Sequence, residues 1–553
     1  MANGSFVVPL LSFLLLWGLL FWVYGDVLWR TEQNSYVSAN AMQMKPLTDL
    51  TFGWLLYAGR WLLTLQKYPL IGGLLISLVL TGSSLLLADV LRLPARWRWT
   101  FSLLPFLYFG WLILRGFNLY YRSEPSWVVL IPALICVIVS AAHAVRPRFV
   151  FSRLRLAFLA ILLGVFFALS VSSFIFLPTR VALWLLLFYV AFSYLSAALI
   201  CKPKKHEPVR SRHLLISSSV VVIVGVAFGA TATYVNDSVI ATARMQRQLE
   251  EQDWEGMCQT ALAVSRPTRS VAAYYAVALE HQDALLENIF DLPFDFPKVS
   301  FDNDQPNDEY TLFTPDCNLA AGLLNSAYHE AFEQTVMSGQ RLHWLKTMAK
   351  AALLNGEERL ARKYIGILRA NPFENAFCDR IEPMIGDSTL IAADDEFAHI
   401  RLLAPRDRHP FEQMFRKPVF LGYNMGLAEG PDAVLRTSAA ACLYSKDLNA
   451  FLPRAQVFVA KGWPLPECMQ QALVIYSLKN GGADFLKQFN GALSPMTEPT
   501  IAAFSRDVAP IAKDKEAMRR LLKKDWLGTY VYYYYCENNN PEQVRKRESD
   551  GVN

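Results

Sequence analysis

Long uncharged runs separated by short polar breaks fill the first 240 residues, and then the pattern changes. Seven apolar segments recur, at about Phe6–Tyr24, Leu70–Ala88, Trp99–Leu114, Trp127–Val145, Leu156–Leu177, Val181–Ile200 and Leu214–Tyr234. Each approaches the roughly 20 residues that a hydrocarbon core demands of a helix. The pattern predicts seven membrane-spanning helices, the short third one leaning on Trp97 and Trp99 at the interface. None carries Lys, Arg, Asp or Glu at its middle, which argues against an ion-coupled pump. The first run has no Lys or Arg before it and no small-x-small cleavage site after it, so it reads as a span and not as a signal peptide.

Between the first two spans the chain reads PLTDLTFGWLLYAGRWLLTLQKYP from Pro46. Leu47, Leu50, Trp54, Trp61 and Leu65 fall on one helical stripe, with Asp49, Arg60 and Lys67 away from it. This predicts an amphipathic helix over about 46–66, opened by Pro46 and lying flat on the outer leaflet.

Beyond Asn236, helical signals come in pairs with short breaks. The clearest is WLKTMAKAALLNGEERLARKYIGILRANPFE, Trp344 to Glu374. It resembles a tetratricopeptide repeat. Gly356 stands at the turn between helices, Ala349 and Ala361 at the two small positions of close approach, and Leu345, Met348, Ile365 and Leu368 at the large apolar ones. Pro372 comes one residue earlier than in that pattern. Further helices are expected at Asp253–Pro267, Ser270–Asp283, Ala433–Asp447, Ala450–Lys461 and Glu467–Leu478, and a long acidic loop at Pro293–Asp316. The expected fold is therefore all-α. A seven-helix transmembrane domain occupies 1–240, an extracytoplasmic tetratricopeptide-like array 241–540, and a disordered tail 541–553.

Charge sets the orientation. Residues 1–240 hold 19 Lys and Arg against 7 Asp and Glu, and the rest of the chain is acidic. The three loops Leu91–Arg98, Arg146–Arg155 and Cys201–His213 together carry 12 basic residues, against 7 in the alternate loops. The richer set belongs in the cytoplasm. The N-terminus is then cytoplasmic and the array periplasmic, in the inner membrane of a Gram-negative bacterium. The acidic half offers no basic face, so nucleic acid is not expected as a partner. Eight scattered cysteines contain no CxxC pair or zinc-ribbon spacing, and packed thiols are expected for most of them.

Four motifs invite chemistry. Asp302–Glu309 lacks the spacing of a calcium loop. YHEAFE, Tyr328 to Glu333, puts His329 and Glu333 on one helical face but supplies only two ligands, so no metal and no cofactor is expected. YVYYYYC, Tyr530 to Cys536, reads as a terminal element that caps the array and packs on the membrane surface, in preference to a ligand-binding tyrosine face. VLWRTEQNSY, Val27 to Tyr36, follows the first span directly. With Asp26 it offers two candidate catalytic carboxylates, Asp26 and Glu32, and two candidate binding amides, Gln33 and Asn34. The arrangement resembles that of multi-span polyprenyl-phosphate-sugar glycosyltransferases, whose first extracytoplasmic loop carries an acidic base. The plainer reading is a helix end in which Glu32, Gln33 and Asn34 satisfy backbone groups.

EQNSYVSANAMQM, the flat helix, KYPLIGGLLI and GTYVYYYY together resemble an uncharacterised bacterial family of multi-span proteins with helical repeats, known as a domain of unknown function. The resemblance implies architecture and no activity. The expected function is a membrane-tethered scaffold in envelope biogenesis that binds a protein or peptide on its array. The alternative is a polyprenyl-linked glycan or phospho-group transferase using Asp26 or Glu32 on a lipid-linked substrate.

Overall fold

The computed structural model describes residues 4–50, 52–91, 93, 97–114, 125–145, 211–293, 315–404, 432–481, 485–489 and 491–537. The chain divides into two compact units, Met1–Ile240 and Ala241–Asn553. Every described element is helical.

In the first unit, α1 (Gly4–Gly18) runs into a π turn at Leu19–Val23 and then into α2 (Gly25–Gln33). The two segments meet at 66°, so the first apolar run is a broken span or a re-entrant pair. Gly25 permits the bend to pack: a Cβ there would stand 3.3 Å from the ring of Pro69. Asp26 in the first turn of α2 suits the positive end of the helix dipole. Two further helices are long and apolar enough to cross a membrane, α5 (Pro69–Val90) and the stretch Arg212–Val235 of α9 (Ser211–Val235). The third expected span breaks at Ser102 and Leu103 into α6 (Arg98–Phe101) and α7 (Leu104–Leu114). The fourth forms α8 (Trp127–Val145), which packs on α5. The expected spans at 156–177 and 181–200 lie outside the described residues.

The flat helix over 46–66 is not one helix. Asn40 caps α3 (Ala41–Thr48), its Oδ1 accepting from Met42 N at 3.0 Å, and Pro46 sits inside α3 and does not open it. The chain then turns through Phe52, at φ +64°, into α4 (Gly53–Leu63) and a 3-10 turn at Thr64–Lys67. Gly53 is required there, because a Cβ would lie 2.2 Å from Leu47 O. This break rotates α4 relative to α3. Gly53, Leu56, Gly59, Arg60 and Leu63 turn inward, while Trp54 is 72% exposed. Arg60, expected on the polar outside, is buried.

The second unit is a stack of helical hairpins. It begins within α10 (Asp237–Glu251) and continues through α11 (Trp254–Ala263), α12 (Arg269–His281), α13 (Leu285–Asn288), α14 (Pro315–Ala320) and α15 (Leu324–Ser338). Asp253 caps α11 and Thr268 caps α12 through their side-chain oxygens. The hairpin of α16 (Leu342–Leu354) and α17 (Glu358–Arg369) turns at Gly356, whose φ is +72°. Ala349 and Ala361 are fully buried where the two helices meet, with Leu345, Met348, Ile365 and Leu368 around them. There follow α18 (Asn375–Ile381), α19 (Ser388–Ala393), α20 (Asp395–Leu403), α21 (Asp432–Tyr444), α22 (Leu448–Ala460), α23 (Glu467–Tyr476), α24 (Thr497–Val508), α25 (Lys515–Trp526) and α26 (Tyr530–Cys536). The expected helices at 253–267, 270–283, 433–447, 450–461 and 467–478 are all present, with ends shifted by a few residues.

The tyrosine run is a core element. In α26, Tyr530, Tyr532 and Tyr533 are buried against α23 and α25, Tyr532 Oη donates to Arg519 O at 3.0 Å, and Tyr533 Oη donates to Tyr444 O. Three of its rings are thus packed inside the unit as its last described helix, while Tyr535 is 37% exposed. All seven described cysteines are free thiols, five of them buried. The tail 541–553 and most of the acidic loop lie outside the described residues.

Candidate functional site

The bend after the first apolar run delivers α2 into the interior of the first unit. Every residue from Val27 to Ser38 is buried. Glu32 and Gln33 are each 1% exposed and Asn34 4%. The helix closes through its backbone, with Asn34 N donating to Arg30 O at 3.0 Å and Ser35 N to Glu32 O at 2.9 Å. The side chains are turned instead toward one another and the interior: Gln33 Nε2 donates to Glu32 Oε2 at 2.8 Å. Asp26 is only half-buried. Six residues separate it from Glu32, roughly 9 Å along the helix and on another side. The two candidate carboxylates are not brought together as a pair.

Three residues that the sequence did not single out complete this polar core. Arg30 is buried on α2. Arg60 Nη1 donates to Tyr36 O at 2.9 Å, which ties α4 to the segment 34–38, and Tyr57 Oη donates to Ser38 O at 3.1 Å beside it. Gln66 is 1% exposed in the 3-10 turn that packs on α2. Gly72 makes room for it: a Cβ there would lie 2.9 Å from Gln66 Cα. Arg30, Glu32, Gln33 and Arg60 are all engaged in polar interactions. In contrast, Asn34 Nδ2, Ser35 Oγ and both amide atoms of Gln66 have no hydrogen-bond partner.

A second candidate lies in the second unit. Helices α10, α11, α12, α14, α16 and α20 surround a small cleft lined by Glu250, His281, His343, Lys346, Lys350 and Glu396 among others. Trp254 stacks on His281 at 4.0 Å, and His281 on His399 at 4.2 Å. Burial, aided by His399, pushes the His281 imidazole down to about 4, so it is neutral at neutral pH. Its Nε2 then donates to Ala320 O at 2.9 Å. Lys346 Nζ lies 3.1 Å from Glu374 and 3.4 Å from Glu250, and Lys350 Nζ lies 2.6 Å from Glu396. Burial opposes ionisation of Glu396, but Lys350 and Arg380 outweigh it and hold the carboxyl below its ordinary value.

In YHEAFE, His329 and Glu333 are exposed, and it is Glu330 that turns inward. Burial pushes Glu330 up to about 8, against the pull of Asn318 Nδ2 donating at 2.7 Å. Among the described residues no group of three or more His, Cys, Asp or Glu could hold a metal ion.

Residues 2–537 match the family of unknown function DUF6057. The chain belongs to this family. The DUF6057 match runs through both units, so the polar core and the groove lie within one family's chain. No curated protein and no solved structure matches it.

Proposed function

We propose that this DUF6057 protein is a membrane-tethered scaffold of the bacterial envelope, with seven spans, and that its helical unit is a tetratricopeptide-like array that binds a protein or peptide outside the cytoplasm. The observation that carries the reading is the groove of α10, α12, α16 and α20. Buried ion pairs contribute little net stability. A fold that lines one cleft with Glu250, Lys346, Lys350 and Glu396, with a neutral imidazole at its wall, is arranged for recognition by charge and shape. The test is a photocrosslinking side chain at Glu250, which is partly exposed and lines the groove. A discrete adduct is expected in cells. Glu250→Trp, which fills the cleft, should abolish complementation of a deletion strain. Full complementation by a folded Glu250→Trp protein would refute the scaffold.

A second reading is favoured by one observation, the burial of Glu32 beside Arg30, Gln33 and Asn34. A carboxylate held this way in a membrane unit is costly unless it works. As a general base it would take a proton from an acceptor while a lipid phosphate leaves. Glu32→Gln keeps the shape and removes the base. A transferase predicts a loss of about 10²–10⁴ in rate and failed complementation at normal accumulation. Full complementation by Glu32→Gln would leave the scaffold alone.

A further inference from the structure

Six helices converge on the cleft of the second unit, yet its free space is about 40 Å³. At roughly 10–15 Å³ for each water-sized group, that is room for about three such groups. A sugar ring or a stretch of peptide backbone is too large. The end of one extended side chain fits.

The walls decide which side chain. Glu250, Asp316 and Glu396 line the cleft against Lys346 and Lys350. Behind them Glu374 pairs with Lys346, and Arg380 with Glu396. Carboxylates outnumber the Lys and Arg groups by one in this set. The unit around it has the same sign, with 34 Lys and Arg against 41 Asp and Glu in residues 241–553. An anion would have to displace the carboxylates held at 2.6 Å from Lys350 and 3.1 Å from Lys346. A single cation displaces nothing and cancels the excess.

Gln246 supplies an independent sign of a ligand. It lines the same cleft from α10 and is 3% exposed, and its Oε1 has no hydrogen-bond partner. A buried acceptor without a donor is costly to a fold. Glu250 follows four residues later on the same helical face. Its contact with Lys346, at 3.4 Å, is the longest of the three ion pairs that Lys346 and Lys350 make here. A carbonyl and a carboxylate side by side call for a group that only donates. A lysine ammonium does so, and the Leu249 and Ile400 side chains in the wall suit its methylenes. Nζ, Cε and Cδ make up the three groups for which there is space. The planar guanidinium of arginine is wider.

We propose that this cleft seats one lysine side chain of the partner, its ammonium donating to Gln246 Oε1 and to the Glu250 carboxylate. The proposal rests on the scaffold reading and supplies the feature of the partner that the cleft reads.

The test uses the full chain in lipid nanodiscs and saturation-transfer NMR with end-capped tripeptides, Ala-X-Ala, in which X is lysine, arginine or norleucine, and with uncapped Ala-Ala-Ala, whose only ammonium is its N-terminus. The lysine peptide should receive saturation at its side-chain methylenes, and the other three should not. Gln246→Leu and Glu250→Gln should each weaken the lysine peptide roughly tenfold or more, with the helical circular dichroism unchanged. Should Gln246→Leu fail to fold, the partly exposed Glu250 decides through Glu250→Gln. The proposal is overturned if the lysine peptide is not saturated, if any of the other three is saturated equally, or if a folded variant binds the lysine peptide as the original does. A crosslinked adduct at Glu250 without a lysine-peptide signal removes the lysine seat and leaves the scaffold. A lysine-peptide signal lost in Gln246→Leu, together with full complementation by Glu250→Trp, removes the scaffold and leaves the seat.

Discussion

Glu280 on α12 is a carboxyl that the fold keeps protonated. One oxygen accepts a hydrogen bond from Thr437 Oγ1 on α21, and the other has no partner. Burial, with a smaller push from Asp283, raises it from an ordinary 4.5 to about 8 against the pull of Thr437. An acid whose folded pKa lies above its unfolded one binds more protons when folded. Its contribution to stability therefore falls as pH rises from 4.5, and levels off once pH passes about 8. At about 1.4 kcal/mol per unit, the folded state loses roughly 3 kcal/mol by pH 7 and up to about 5 kcal/mol above pH 8 relative to a neutral side chain. Glu280→Gln is that neutral side chain. Its amide N–H group lacks a partner where the second oxygen stood, which shifts the whole curve by a constant. The pH slope is then the diagnostic. The assay is urea unfolding of the full chain in detergent, followed by labelling of Cys442, a fully buried thiol on the helix that carries Thr437. The stability of the variant minus that of the original should climb by a few kcal/mol between pH 5 and pH 9. A difference that stays flat over this range would refute a protonated Glu280.

Four further outcomes follow from particular contacts. Lys346→Met deprives Glu374, 2% exposed, of its ion pair, so the second unit should lose about 3–5 kcal/mol in the same assay, and Glu374→Gln added to it should restore most of the loss. Ala361→Trp overfills the contact between α16 and α17 and should cost about 1–3 kcal/mol or more; an unchanged unfolding midpoint would contradict that packing. Phe52→Gly removes a side chain that is 72% exposed from a left-handed backbone, so it should raise the thermal midpoint in detergent by the equivalent of about 1 kcal/mol, and a fall would show that the ring has an unseen partner. Reporter fusions after Lys205 should read as cytoplasmic and those after Asn236 as periplasmic; the reverse would overturn the proposed orientation.

The sequence by itself determined which segments are helical in the second unit and where several of them begin and end. Gly356 and the alanines at 349 and 361 act locally, through a positive φ at the turn and close approach between neighbouring helices, so spacing alone revealed the hairpin. Asp253, Thr268 and Asp447 begin helices through hydrogen bonds spanning three residues, which are equally local. Periodicity also placed apolar runs in the first unit, but not their breaks. The 66° bend after Val23 and the turn at Phe52 go with the close approach of Gly25 to the Pro69 ring and of Gly53 to Leu47 O, and only the folded chain brings those atoms together. That turn reversed the reading of Arg60. On one continuous helix it lay away from the apolar stripe; on the rotated α4 it reaches Tyr36 O inside the unit. Glu32, Gln33 and Asn34 were legible as chemistry-bearing residues because they follow an uncharged run, yet the same pattern fits a solvated helix end. Burial separates the two, and burial belongs to the packing of α2 on the 3-10 turn and α5. Gln66 and Glu280 gave no signal at all. A glutamine or glutamate becomes informative only when tertiary structure removes its water and leaves one of its atoms without a partner, because that cost is set by the surroundings and not by the residue.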